Sequence, residues 1–207
     1  MNEPVQAYEH AGLPVAIHYD DAAGNPRKEF DNMATIVGWR NTRHVLGDRQ
    51  LSLDCTEQLE VVSALREDGA RLILPIHYSE QSGTLSVGDP SDLDDPDYDS
   101  DGVIYATGEQ LRHEYGLQRI SAKAIESATR VLSGEVAEYG AYLAGEVFGY
   151  IVTDDAGEDL DSCWGFYELE HCEEQANDAA EYCVQMQAAE AREAHEMACR
   201  DIQTVAA

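Results

Sequence analysis

Apolar residues alternate with polar ones, or cluster in short runs, at 14–19, 33–39, 71–78, 84–87, 102–107, 146–154 and 159–167, which predicts strands at those places. A three-to-four-residue period takes over elsewhere. Asp54 and Glu57 form a D-x-x-E capping box, and behind it Leu59, Val62 and Leu65 return at helical spacing, with Gly69 as a stop. Thr107 and Gln110 form a second box, opening a short helix that ends at Gly116. Ser121 opens a longer helix with Ile125, Ala128, Leu132 and Val136 on one face, weakened in its middle by Ser133-Gly134. From Glu168 to about Thr204 there is no Gly or Pro, which predicts one long helix. Cys172, Ala176, Ala179, Cys183, Met186 and Met197 trace its apolar face, and such small residues suit close packing against a sheet or a second copy of the chain.

The remaining stretches read as connections. Residues 1–12 form a loose lead-in, Gly24-Asn25-Pro26 forbids regular structure after the first strand, and 40–53 is a loop. Residues 89–101 hold seven Asp and two Pro and also read as a loop. Asp155-Ala156-Gly157 joins the last two strands into a hairpin. Alternation along the last strand places Cys163 and Gly165 on one face and Ser162, Trp164 and Phe166 on the other, with Cys163 a small core residue. The expected architecture is α+β: a mainly antiparallel sheet with helices packed on one side (1–167) and a long acidic C-terminal helix (168–207) packed on that domain or extending from it. The Ile-His-Tyr ending shared by 14–19 and 71–78 reflects a common strand pattern, and no longer repeat is visible.

Composition adds little to this picture and charge adds much. Hydrophobic residues make up 43%, the globular norm, with eleven Tyr and two Trp. Five cysteines without a C-x-x-C pair predict reduced, mostly buried thiols in a cytosolic protein. The first ten residues predict no signal peptide, and no apolar run approaches a membrane span. Against this ordinary background stand 41 Asp+Glu and only 13 Lys+Arg, a formal charge of -28. That balance disfavours nucleic acid and anionic membrane as direct partners, and it favours basic proteins or metal ions. Low Lys with high Asp and Glu also fits a salt-adapted protein, so composition leaves both explanations open.

Two acidic stretches are candidate partner-binding surfaces. Glu168, Glu170, Glu173, Glu174, Asp178 and Glu181 lie on about 20 Å of predicted helix with no intervening Lys or Arg. One carboxylate every ~3.3 Å of axis compares with one phosphate per ~3.4 Å on a single DNA strand, although these acids do not lie in one line. Asp92, Asp94, Asp95, Asp97 and Asp99 form a second patch. Within it, Asp97, Asp99 and Asp101 followed by Gly102 and Ile104 match the start of a calcium-binding loop, but the twelfth position is Gly108 rather than Glu. Other constellations are thinner. His195 and Cys199 stack one helical turn apart, too few ligands for structural zinc, and the adjacent His171 and Cys172 point to different sides. Cys163 could act as a nucleophile only with a His brought to it by the fold, such as His18 or His77. No phosphate-binding glycine loop occurs.

Three blocks carry a resemblance. Phe30-Asp31-Asn32 with Ala34-Thr35-Ile36-Val37 and Leu46-Gly47-Asp48 parallels a W-D-N-x-G-T-M-V…L-G-D pattern. Leu74-Pro75-Ile76-His77-Tyr78 running into Ser82-Gly83 is the second, and Glu135-Val136, Tyr142-Leu143, Gly145-Glu146-Val147, Gly149-Tyr150 and Asp161-Ser162-Cys163-Trp164-Gly165-Phe166-Tyr167 the third. Together they resemble a family of uncharacterised proteins of phages and mobile elements. Where that family reads Y-D-H-S-G, this chain has Tyr78-Ser79-Glu80-Gln81-Ser82-Gly83, and a His usual near the first block stands here only within Arg40-Asn41-Thr42-Arg43-His44. The resemblance implies a mobile-element setting in the host cytoplasm and, given these departures, no enzyme. The leading expectation is a DNA mimic, of anti-restriction or anti-CRISPR type, that blocks a basic DNA-binding host protein, with a homodimer through the small-residue face of the last helix extending the acidic surface. The alternative is a salt-adapted enzyme or ligand-binding domain, with Tyr19, Asp20, Asp31, Asn32, His77 and Trp164 at its site. A calcium-dependent interaction module is the third reading, and no other cofactor is implied.

Overall fold

The computed structural model describes residues 3–39, 45–51, 57–95 and 97–205, with side chains as far as Met197. In chain order the elements are β1 (Gln6–His10), β2 (Leu13–Tyr19), α1 (Pro26–Glu29), β3 (Thr35–Gly38), β4 (Arg49–Gln50), α2 (Gln58–Glu67), β5 (Ala70–Tyr78), β6 (Leu85–Val87), a 3-10 turn (Pro90–Asp94), β7 (Gly102–Thr107), α3 (Gly108–Tyr115), α4 (Ala122–Ala144), β8 (Phe148–Thr153), β9 (Asp159–Phe166) and α5 (Leu169–Val205). The class is α+β, as expected, but the strands divide between two sheets. They belong to two compact units, one built from Met1–Ala23 with Glu146–Ala207 and the other from Gly24–Gly145. The division therefore falls at 23/24 and 145/146, not at the expected 167/168.

The two-segment unit holds the antiparallel sheet β1-β2-β8-β9. The supposed lead-in is strand β1, joined to β2 by the two-residue turn Ala11-Gly12. Both turn residues have positive φ (52° and 86°), the backbone that matches the twist of a tight hairpin. Glycine takes that conformation freely, whereas Ala11 does so at some cost. α5 lies on one sheet face. Cys172, Ala176, Ala179 and Ala180 bury against Val15, Ile17, Phe148, Tyr150 and Val152. Small side chains let the helix approach closely, and the sheet occupies the Cys172–Ala180 part of the face expected to form a homodimer. Met186 and Met197 are exposed at 42% and 60%, so they do not continue that packed face.

The second unit is built on the sheet β4-β3-β7-β5-β6, antiparallel except for β3–β4. Its strands are apolar on both faces because both are covered. Leu72, Leu74, Ile76 and Ile104 meet Ala128, Leu132, Val136 and Tyr139 of α4 with Leu111 of α3. Val37, Ile73 and Val103 meet Val62 of α2 and Leu93 of the 3-10 turn. The Thr107–Gln110 box caps α3, Gly116 ends it with φ 61°, and Ser121 caps α4, which runs unbroken through Ser133-Gly134. Asp54 lies outside the described residues. α2 begins after Glu57, which makes no side-chain cap. Asn25-Pro26, read as a breaker, starts α1 instead: Asn25 caps the backbone N–H of Arg27 and Pro26 occupies the first turn, where no donor is needed.

Candidate functional site

The six candidate acids do not lie in one line, as expected, but four of them form a row on α5. At 100° per residue Glu170, Glu174, Asp178 and Glu181 share an arc of about 80°, opposite the face buried on the sheet. All four are exposed. They span about 16.5 Å, one carboxylate every ~5.5 Å, sparser than the ~3.4 Å per phosphate of a DNA strand. Glu173 is half-buried on the flank, where after burial it is the next cause of the raised Tyr8 pKa. Glu168 precedes the helix and its carbonyl accepts from Cys172 N at 3.1 Å. Among the described residues the row meets only histidines: Glu181 meets His10 at 3.2 Å and Glu174 meets His171 at 3.9 Å.

Charge is uneven between the units. Residues 1–23 with 146–207 carry 20 Asp+Glu and only Arg192 and Arg200, a net -18, while 24–145 carry 21 against 11, a net -10. No Lys or Arg at all occurs in 1–23 or 146–191.

The second patch is less free than the first. Asp94 pairs with Arg66 at 2.8 Å, Asp92 is half-buried, and Asp95 Oδ1 accepts from Asp97 N. Asp97 and Asp99 are exposed. The loop is stapled to its unit. Gln58 Oε1 accepts from Ser100 N and Gln58 Nε2 donates to Tyr98 O, while His77 Nε2 and Tyr98 Oη meet at 2.6 Å. Asp101 is 2% exposed and its Oδ2 accepts from Tyr78 N, so it serves the fold instead of joining Asp97 and Asp99 around a cation. Among the described residues no group of three or more His, Cys, Asp or Glu is disposed to hold a metal ion. The Cys199 side chain and residues 40–44 lie outside the description.

On the sheet face turned away from α5, the two-segment unit has an open pocket of about 700 Å³ lined by His18, Tyr19, Asp20, Asp21, Ile151 and Trp164. Tyr19, Asp20 and Trp164 of the alternative reading meet here, whereas Asp31, Asn32 and His77 belong to the other unit. Register explains the assembly: His18 pairs with Gly149 and Gly149 with Trp164, so both rings flank a residue without a side chain. A Cβ at Gly149 would overlap the Trp164 indole. The His18 and Trp164 rings lie 6.4 Å apart. Cys163 pairs with Tyr150 and faces the α5 side, away from His18. It is exposed, not a core residue, because β9 is an edge strand. A bulge at Gly165 (φ 89°) resets the alternation and returns Phe166 to the α5 side, 5.9 Å from Tyr150, so Trp164 and Phe166 do not share a face as expected.

The motif residues Asn32, Asp48 and Glu135 converge around Arg27, whose side chain is 3% exposed. Its Nε and Nη2 donate to the two Asp48 oxygens at 3.2 and 2.7 Å, its Nη1 to Asn32 and Glu135 at 2.8 and 2.7 Å, and Nη2 again to the Ala34 carbonyl at 2.6 Å. All five guanidinium protons are used. Burial alone would lower the Arg27 pKa, but Asp48 and Glu135 hold it above its ordinary value. The carboxylates are committed too, accepting from Ile36 N and Met33 N. The guanidinium keeps no donor for a ligand. Arg27 itself escaped the sequence reading, although it follows the Asn25-Pro26 start signal.

No protein-family model, curated protein or solved structure matches the chain. Among the described residues no helix is long and apolar enough to cross a membrane.

Proposed function

We propose that the protein is a non-enzymatic inhibitor that presents the outer face of α5 to the nucleic-acid-binding surface of a basic host protein, in the manner of a DNA mimic from a mobile element. One observation carries this reading: the row Glu170, Glu174, Asp178, Glu181 stands in a unit whose segments 1–23 and 146–191 hold no Lys or Arg. Helix electrostatics account for part of the row. Negative charge in the first turn is favourable to the helix dipole, which covers Glu170 and to a lesser degree Glu174. Asp178 and Glu181 lie beyond that range, and their like-charge neighbours cost the helix stability. A basic groove would offset that cost.

The test is competition. The protein should displace duplex DNA from a DNA-binding defence nuclease, with an affinity that falls as salt rises. Reversing Glu174, Asp178 and Glu181 to Lys should weaken this by at least about tenfold without lowering the melting temperature; an unaltered affinity would exclude α5 as the surface. A second reading, a salt-adapted ligand-binding domain, is favoured by the pocket at Trp164. It expects the melting temperature to climb steeply in molar KCl and the α5 reversal to leave ligand binding intact.

A further inference from the structure

We infer that the Trp164 pocket takes a small organic cation with an aromatic or alkylated body, of the quaternary ammonium class. This names the ligand for the pocket-based reading and stands whether or not α5 engages a basic partner. The walls supply two kinds of attraction. Trp164 is 46% exposed, an unusual display of aromatic surface, and offers a π face to a cation, whereas Tyr19 borders the pocket with its ring turned to Phe148 at 5.4 Å. Asp20 and Asp21 add two carboxylates, and among the described residues no Lys or Arg lines the pocket. Asp20 is held by its own turn: Oδ1 accepts from Ala22 N at 3.1 Å and its backbone N–H donates to Val147 O at 2.7 Å. Trp164 is seated by Gly149 beneath it and by the nearly buried His18 beside it.

Size and charge narrow the class further. A volume of about 700 Å³ lies in the range of sites for drug-sized ligands and exceeds the needs of a bare ammonium ion. Anions are excluded by the two carboxylates and by the surplus acid of the whole unit. A neutral apolar ligand would gain contact with Ile151 and the rings but nothing from Asp20 and Asp21. The cation gains from both.

Phenyltrimethylammonium serves as the probe, titrated against the full-length protein by calorimetry and tryptophan fluorescence, beside its uncharged isostere tert-butylbenzene and the anion benzenesulfonate. The cation should bind saturably and about tenfold more tightly than the isostere, with no binding of the anion. Trp164→Ala should abolish binding, and Trp164→Phe should keep most of it. Asp20→Asn with Asp21→Asn should weaken the cation about tenfold and leave the isostere unchanged. Should Trp164→Ala fold poorly, Gly149→Ala, which pushes the indole aside without touching charge, should weaken binding instead. Equal affinity for the isostere, or preference for the anion, overturns the cation class while leaving a ligand pocket in place. Absence of saturable binding by any probe overturns both. Binding unaltered by the Trp164 and Gly149 variants, but lost on reversal of Asp178 and Glu181 to Lys, places the cation on the acidic helix and overturns the assignment to the pocket.

Discussion

Arg27 spends every donor it has inside its own unit, so its replacement reports on folding alone. Arg27→Met strands Asp48 and Glu135 beside each other and should cost about 3 kcal/mol, the lower end for a broken buried pair because the Asp48 side chain is 26% exposed. Urea unfolding measures this. Adding Glu135→Gln should recover part of the loss, and a loss under about 1 kcal/mol would mean the knot is not structural. Lysine is no substitute, because an ammonium has three donors and no planar fork. In the other unit, burial pushes the Cys172 thiol from 9.0 up to about 12, with Cys163 and Glu173 adding to it. Burial, then Asp161 and the nearby cysteines, push Tyr150 from 10.0 to about 12. Both pKa values are raised, so the neutral forms stabilise the fold fully below the unfolded values and that stability drains as pH rises through the folded ones. Unfolding free energy should hold level to about pH 9 and then fall toward pH 12. In Cys172→Ala the fall from about pH 9 should be shallower, because only the raised Cys183 thiol remains there, and should steepen above about pH 10, where Tyr150 takes over.

At the scale of elements, α5 separates charges that help a helix from charges that burden it. Glu170 sits in the first turn and favours the dipole, so Glu170→Gln should lower stability by about 0.3–1 kcal/mol. Asp178 opposes Glu174 four residues before it and Glu181 three residues after. Asp178→Asn should raise stability by about 0.4–1 kcal/mol, and the gain should vanish in high salt. Thermal melts at low and high ionic strength read both effects. Opposite signs from two neutralisations on one helix would show that the distal acids are kept against the interest of the fold. The elements around the Trp164 pocket follow the same logic of local cause. A glycine in β8 makes room for the indole, and a bulge at Gly165 separates it from Phe166.

For the whole molecule, the unequal charge of the two units bears on why the acid is there. Hydration in brine would call for acid on both units alike, yet the two-segment unit carries -18 against -10. Since 24–145 is contiguous and has covered both faces of its sheet, it should fold as an isolated fragment and unfold cooperatively. That fragment should fail to compete with DNA, because it lacks α5. Competition by the fragment equal to that of the full chain would move the binding surface to the Asp-rich loop.

Local signals were enough to read most elements. Thr107–Gln110, Ser121, Gly116 and the Asp155-Ala156-Gly157 hairpin act through bonds spanning a few residues, so their meaning does not depend on the rest of the chain. β1 was missed because its alternation is weak and becomes a strand only when paired with β2. The exposure of Cys163 and the bulge at Gly165 follow from β9 being an edge, a property of strand order that no window along the sequence contains. The acid on the last helix was legible as composition; its row became visible once the buried face fixed the helix's rotation. Pairing between β2 and β8, more than a hundred residues apart, brought His18 to the Gly149–Trp164 pair of the β8–β9 hairpin. The chain alone set its charge, its class and the ends of α3 and α4, since these are sums or short-range effects. The partition into two units, the closed knot at Arg27 and the open pocket at Trp164 rest on contacts distant in sequence, which only the folded chain can make.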